Sequence, residues 1–168
     1  MRPTADRTRE AVFNILAHKS WEGGDGGSAL AGAWVLDAFC GSGALGLEAL
    51  SRGAAGCVFI DKATTALDCA RRNVTMLGET SRATLIRASA LSPPAPTRPA
   101  TLAFLDPPYS QNLPAPALVA LAERGWFAPG ALIVVETGAE DALPIPPFCE
   151  QLDERRYRFT AVHFLKVS

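Results

Sequence analysis

The chain has 168 residues and a mass of 17.8 kDa, with 48% hydrophobic residues and a mean hydropathy of +0.12. That is one domain's worth of chain with enough apolar matter for a core, which excludes disorder as its overall state. The net charge of −1 does not by itself favour nucleic acid, because neutralising phosphates takes a basic surface. The average hides an asymmetry. Residues 71–98 hold five arginines against Glu79, whereas residues 106–141 hold Asp106, Glu123, Glu136, Glu140 and Asp141 against Arg124. Scattered solvated charge is one reading; a basic face beside an acidic pocket is the sharper one. No apolar run approaches the ~20 residues of a membrane helix. Met1-Arg2-Pro3-Thr4-Ala5-Asp6 lacks the apolar stretch of a signal peptide. Cys40, Cys57, Cys69 and Cys149 form no Cys-x-x-Cys pair, which argues against a disulfide framework or paired metal ligands. The expectation is a cytoplasmic protein, monomeric, with no metal and no membrane association.

In chain order, Val12, Phe13, Leu16 and Ala17 recur at helical spacing, which predicts a helix over Asp6 to Ala17. Gly23-Gly24-Asp25-Gly26-Gly27 is a joint. Trp34 to Phe39 reads as a buried strand, followed by a Gly-rich turn and a helix to about Arg52, stopped by Gly53. Cys57–Asp61 is a second strand. Ala63 to Leu77 is helical, with Leu67, Ala70, Val74 and Leu77 on one face and Gly78 ending it. Ala83–Arg87 is a third strand. Ser92 to Pro99, with four prolines, is a stiff loop. Thr101–Leu105 is a fourth strand, Ala115–Arg124 a helix and Ala131–Glu136 a fifth strand. Glu150–Arg156 and Ala161–Val167 read as an antiparallel hairpin. Alternating strands and helices predict an α/β fold, a parallel sheet with helices on both faces. Ligands of such sheets bind at the carboxyl ends of the strands.

The loop after the first strand, Gly41-Ser42-Gly43-Ala44-Leu45-Gly46, is a literal G-x-G-x-x-G, and Asp61 ends the next strand 20 residues after Gly41. An acid there can accept the ribose hydroxyls of a bound adenosine. Dinucleotides and S-adenosylmethionine both use this geometry, and the motif alone does not choose between them. Asp37 helps to choose. A carboxylate at that strand end would face a pyrophosphate, and like charges at short range are costly. The ammonium and sulfonium of S-adenosylmethionine suit it instead. As a plainer alternative, Asp37 is a helix N-terminal carboxylate with no ligand. Cys40 reads as a small packing residue.

Leu105-Asp106-Pro107-Pro108-Tyr109 follows the fourth strand. Two prolines fix the backbone and remove two N–H donors. The Asp106 carboxylate and Pro107 carbonyl are then available as acceptors. An exocyclic amino group on a base is a poor nucleophile, because its lone pair is delocalised into the ring. Two acceptors gripping its hydrogens would localise that lone pair for attack on a sulfonium methyl. Tyr109 offers a face on which a flipped base can stack, for roughly 1–3 kcal/mol. The plainer alternative is a rigid Asp-Pro turn. His18 and His163 read as packing or surface residues, and Ser51 has no triad partners.

Arg2-Pro3-Thr4-x-Asp6-Arg7-x-Arg9-Glu10, the run from Leu36 to Ala54, and Asp106-Pro107-Pro108-Tyr109 together resemble the RsmD-type 16S rRNA guanine-N2 methyltransferases. The resemblance spans nearly the whole chain; Asp-Pro-Pro-Tyr alone marks amino-group methyltransferases generally. It implies the class I S-adenosylmethionine-dependent methyltransferase fold, a Rossmann-like seven-stranded, mostly parallel sheet closed by a C-terminal antiparallel hairpin. It implies one catalytic domain over 1–168, with 1–27 as N-terminal helix and joint and 28–168 as core. It also implies methyl transfer to the exocyclic N2 of guanine 966 in 16S rRNA within the small ribosomal subunit. Carried over motif by motif, Asp37, Phe39, Gly41, Ser42 and Gly43 line the methionine end, Asp61 holds the ribose and Ser89-Ala90-Leu91 flank the adenine. Asp106, Pro107, Pro108 and Tyr109 hold the target base, with Asp106 also beside the cofactor, and Thr4 is a further cofactor candidate. Cys40 stands where alanine is usual, and Ser89 where an Asp or Asn often sits. The family usually carries a short basic hairpin before the Arg-Pro-Thr motif, at which this chain starts. An adenine-N6 enzyme, or an amino-group methyltransferase acting on another nucleic acid, a protein or a small molecule, is the alternative. A non-catalytic dinucleotide module is a third reading, one that would tolerate loss of Asp-Pro-Pro-Tyr.

Overall fold

The computed structural model describes residues 3–18, 28–108 and 111–168. The Gly-rich joint and Tyr109 lie outside the described residues. The apolar runs form strands β1 (Trp34–Asp37), β2 (Gly56–Asp61), β3 (Ala83–Arg87), β4 (Ala100–Leu105), β5 (Phe127–Gly138), β6 (Cys149–Arg156) and β7 (Thr160–Val167). Helix α1 (Pro3–His18) precedes them, and α2 (Ala44–Ser51), α3 (Thr64–Met76) and α4 (Pro114–Glu123) lie between them. The strands make one seven-stranded sheet in the order β3-β2-β1-β4-β5-β7-β6. Pairing is parallel from β3 through β5. It is antiparallel from β5 to β7 and from β7 to β6. This is the arrangement expected of the class I methyltransferase fold.

Strand periodicity divides the core into two layers. Val35, Cys57, Phe59, Leu102, Phe104, Leu132, Val134 and Phe164 face α1, α2 and α3, where Phe13, Leu16, Leu50 and Ala70 cover them. Leu36, Val58, Ile60, Ala103, Leu105, Ile133, Val135 and Leu165 face α4, through Leu118 and Leu121, and Trp126. Gly46 allows the closest of these contacts. A Cβ there would come within 2.4 Å of the Phe59 ring and 2.6 Å of the Cys57 sulfur. The four cysteines are free. No helix among the described residues is long and apolar enough to cross a membrane.

The structure corrects the sequence reading in a few places. β5 is twice as long as expected: it begins at Phe127, which pairs with Ala100 of β4, and antiparallel pairing with β7 carries it past Glu136 to Gly138. The stiff loop expected at Ser92 to Pro99 is present, and no helix joins β3 to β4. The proline loop crosses alone, held by Arg124 Nε to the Pro93 carbonyl at 3.0 Å and Trp126 Nε1 to the Pro94 carbonyl at 2.7 Å. A short 3-10 turn at Thr80–Arg82, not expected from the sequence, leads into β3.

Candidate active site

The sheet order reverses between β1 and β4, and the residues after the parallel strands converge there. β1 delivers Asp37 and the Gly loop, β2 Asp61, β3 the Ala88–Leu91 segment, and β4 Asp106-Pro107-Pro108. The Gly loop turns because Gly41 and Gly43 adopt left-handed backbone at φ 53° and 85°. Gly43 donates to the Cys40 carbonyl at 2.8 Å and caps α2. Asn73 of α3 donates to the Ser42 carbonyl at 2.9 Å, tying the loop to the neighbouring helix.

Asp61 accepts the Gly41 N–H on one oxygen at 3.0 Å and the Ala63 N–H on the other at 2.9 Å. It therefore fixes the loop and the start of α3. Each oxygen keeps a second lone pair for a hydroxyl donor. Asp37 lies deeper than its expected place at the mouth. It is 1% exposed, and its Oδ2 accepts the Gly46 N–H at 3.0 Å near the start of α2. Its Oδ1 is buried without a partner. Burial pushes its pKa up to about 7, against the lowering effect of the Gly46 hydrogen bond, and the charge of Asp61 adds to the rise.

Two cavities meet at Phe39, Gly41 and Asp106. The first, of about 460 Å³, is lined by Phe39, Gly41, Asp61, Ser89, Ala90, Asp106, Pro107 and Pro108 among others. The Ser89 hydroxyl accepts the Leu91 N–H at 3.1 Å, which shapes that wall. The second, of about 530 Å³, runs from the Gly loop past Asp106 to Glu136, and its outer wall comes from Thr8 and Arg9 of α1 and Tyr157, Phe159 and Thr160 of the hairpin. Phe159 is 60% exposed, with the Arg158 guanidinium 5.1 Å above its ring. Asp106 sits between the cavities. Burial raises its pKa to about 8, and the like charge of Glu136, the charge of Asp37 and a hydrogen bond with Glu136 add to the rise.

The first cavity suits a small ligand of adenosine size. The backbone at Gly41 is open to it: a Cβ there would meet no atom within 4 Å. Asp106 on the cavity wall and Asp37 beneath the loop hold raised pKa values in the free chain, and a cationic ligand would favour their ionised forms.

Comparison with known proteins decides the family. The family described as "Conserved hypothetical protein 95" matches residues 1–166. Ribosomal RNA small subunit methyltransferase D of Escherichia coli is 38% identical over 88% of this chain and 69% of its own length. The chain belongs to the RsmD-type methyltransferase family. The Haemophilus influenzae protein of the same name is 35% identical over 92% of this chain and 77% of its own. The solved yhhF protein of Escherichia coli superposes on 100% of this chain and 88% of its own with a TM-score of 0.82 at 32% identity.

Within this RsmD-type fold, the expected site residues fall into three groups. Phe39, Gly41, Asp61, Ser89, Ala90, Asp106, Pro107 and Pro108 line the first cavity, and Ser42 lines the second. Asp37 and Gly43 lie beneath the loop, Gly43 where a Cβ would press on Phe59 at 3.3 Å. Thr4 falls in the first turn of α1, and its side chain, like Tyr109, lies outside the described set. Sequence reading missed Glu136, Asn73, Tyr157 and Phe159 as site residues. In the sequence Glu136 is marked only by the acidic excess of residues 106–141, of which Glu123 and Glu140 are exposed and line neither cavity. The five arginines of residues 71–98 do not form one basic face. Arg82 is tied to the Ala54 and Leu50 carbonyls and to Glu79. Arg98 stacks over Trp34, 4.7 Å from its ring centroid. Burial and the charges of Asp37 and Asp61 push the Cys40 thiol far up, consistent with a packing role. His163 is buried between Thr137, 3.3 Å away, and Glu154, 3.6 Å away, with its pKa lowered by burial.

Proposed function

We propose that this chain transfers a methyl group from S-adenosylmethionine to the exocyclic N2 of a guanine, position 966, in 16S rRNA of the small ribosomal subunit. One observation carries the reading: Asp106 forms the wall shared by a cofactor-sized cavity and a second cavity open to a large substrate. Family membership supports the rRNA substrate, since curated relatives bear the name ribosomal RNA small subunit methyltransferase D. As a cytoplasmic protein acting on a ribosomal precursor, it would meet that substrate where subunits are built.

When bound, S-adenosylmethionine supplies an electrophilic methyl on a sulfonium. Asp61 would hold the ribose hydroxyls, Ser89 and Ala90 would flank the adenine, and Phe39 and Gly41 would bound the methionine end. Asp37, beneath the loop, would ionise in favour of the cationic cofactor. Asp106 accepts one hydrogen of the amino group and Pro107 offers its carbonyl to the other. Both interactions grow stronger as the nitrogen gains positive charge, so they favour the transition state over the ground state. The Asp106 carboxylate then holds the proton the amine releases. Tyr109, next to the second proline, stacks on the base.

The test is methyl transfer to small subunits lacking the modification, with nucleosides read by mass spectrometry. N2-methylguanosine that disappears in Asp106→Ala is the expected result. A different methylated nucleoside, or activity intact in Asp106→Ala, sinks the reading.

A further inference from the structure

We propose that Glu136 sets the base specificity of this reaction, by accepting the N1–H of guanine while Asp106 accepts a hydrogen of the adjacent 2-amino group. The inference rests on the guanine-N2 reading and adds a second residue to it.

The placement follows from strand register. Leu105 of β4 pairs with Val135 of β5, in parallel, so Asp106 and Glu136 leave the two strands side by side. Parallel neighbours lie about 4.8 Å apart, close enough for both carboxyls to touch adjacent donors on one ring edge. Both line the second cavity, whose aromatic members Tyr157 and Phe159 suit a flat ligand. The two side chains are hydrogen-bonded to each other. Two carboxyls can do this only by sharing a proton, a partnership that a ligand with two donors replaces. Charged groups near the pair include Asp37 below, Asp141 beside Glu136 in a small adjoining cleft, and Arg9 across the cavity, the last ion-paired with Asp6 at 3.2 Å.

Guanine is the base that fits two neighbouring acceptors. Its edge carries the N1–H beside the 2-amino group. Adenine and cytosine place a ring-nitrogen acceptor beside their amino group, which would face a carboxylate lone pair. A site built to accept a hydrogen bond rejects an analogue that lacks the donor far more strongly than a shape-based pocket does.

The experiment uses small subunits reconstituted with 16S rRNA that carries either guanine or 2-aminopurine at the nucleotide the wild-type protein methylates. 2-Aminopurine keeps the 2-amino group and replaces the N1–H with an acceptor. The wild-type protein should prefer guanine by roughly 100-fold in kcat/KM. Glu136→Leu, which leaves no acceptor for the N1–H, should lose roughly 100-fold on guanine and much less on 2-aminopurine, whose ring nitrogen has no hydrogen to give to Glu136. The guanine to 2-aminopurine ratio is independent of the folded fraction, so a poorly folding variant still reports. A wild-type ratio near one, or a ratio that Glu136→Leu leaves unchanged, overturns the proposal. Failure of the guanine-N2 reading looks different: the wild-type protein then leaves guanine unmethylated, and the inference falls with it.

Discussion

The two cavities that meet at Asp106 are built on opposite terms. On the side of β1 to β3, the groups that face the cavity answer one another within the chain, and the buried Asp37 Oδ1 beneath them goes without a partner among the described residues. Asp61 holds two backbone N–H groups, Asn73 holds the Ser42 carbonyl and Ser89 holds Leu91. On the side of β4 and β5, Asp106 and Glu136 lean on each other, and Phe159 stands largely in solvent. The first side is organised before any ligand arrives, so binding there orders little. The second keeps its strongest acceptors in a costly arrangement that a substrate with matching donors relieves. The contrast suits a cofactor that is common to many enzymes and a substrate that must be selected.

The largest effect should come from the wall between them. Asp106→Ala should lower methyl transfer by about 10³-fold and weaken cofactor binding far less, by about tenfold. Calorimetric titration beside a single-turnover assay separates the two, and equal loss in both would place Asp106 on the cofactor side alone. Next, Asp61→Ala should weaken S-adenosylmethionine by roughly 10- to 100-fold, since it removes the ribose acceptor and frees the Gly41 N–H. An unchanged dissociation constant would remove Asp61 from the ribose contact.

The third prediction concerns protons. The carboxyls of Asp37 and Asp106 have raised pKa values, about 7 and about 8 against an ordinary 3.8. The folded chain thus binds protons more tightly than the unfolded chain between about pH 4 and pH 8. Stability of the free protein is fully favoured below the unfolded value and falls as pH rises through 7 and 8. S-adenosylmethionine, with two cationic groups beside these carboxyls, should bind with proton release and gain affinity from pH 6 to pH 8. Titrations at pH 7 in two buffers of different ionisation enthalpy read the protons directly. Proton uptake would contradict the assignment. The smallest effect should be at the rim. Phe159→Ala should raise KM for subunits about three- to tenfold and leave kcat and cofactor binding unchanged; a loss confined to kcat would tie Phe159 to the chemistry instead.

Much of the first cavity was legible in the sequence because its signals are local. The Gly41-to-Gly46 loop, the acid at Asp61 and the Asp106-Pro107-Pro108 turn each lie within a few residues of a buried strand end, where fixed spacing carries meaning. The strands themselves were legible from apolar runs. The second cavity is made by register and tertiary approach, which no window of sequence contains. Glu136 matters because Val135 pairs with Leu105, thirty positions away in the chain. Phe159 and Tyr157 matter because the β6–β7 hairpin brings its turn back over the Gly loop. The depth of Asp37 was hidden for the same reason. A carboxylate after a strand can face a cavity or the neighbouring helix start, and the Gly46 N–H decides the matter here. The far end of β5 was missed because its partner, β7, follows it in the chain by more than twenty residues.

The crossover between β3 and β4 has a consequence for the unfolded chain. Where a helix would bury one face, this protein spans the same gap with Ser92 to Pro99, half of them prolines, fastened by Arg124 and Trp126. A proline-rich segment has few conformations to surrender, so its ordering costs less entropy than the same length of ordinary loop. The crossover thus owes its firmness to the poverty of its alternatives more than to its contacts. Replacing Pro96 with glycine would loosen the protein chiefly by enriching the denatured ensemble, with the folded contacts of the site unaltered.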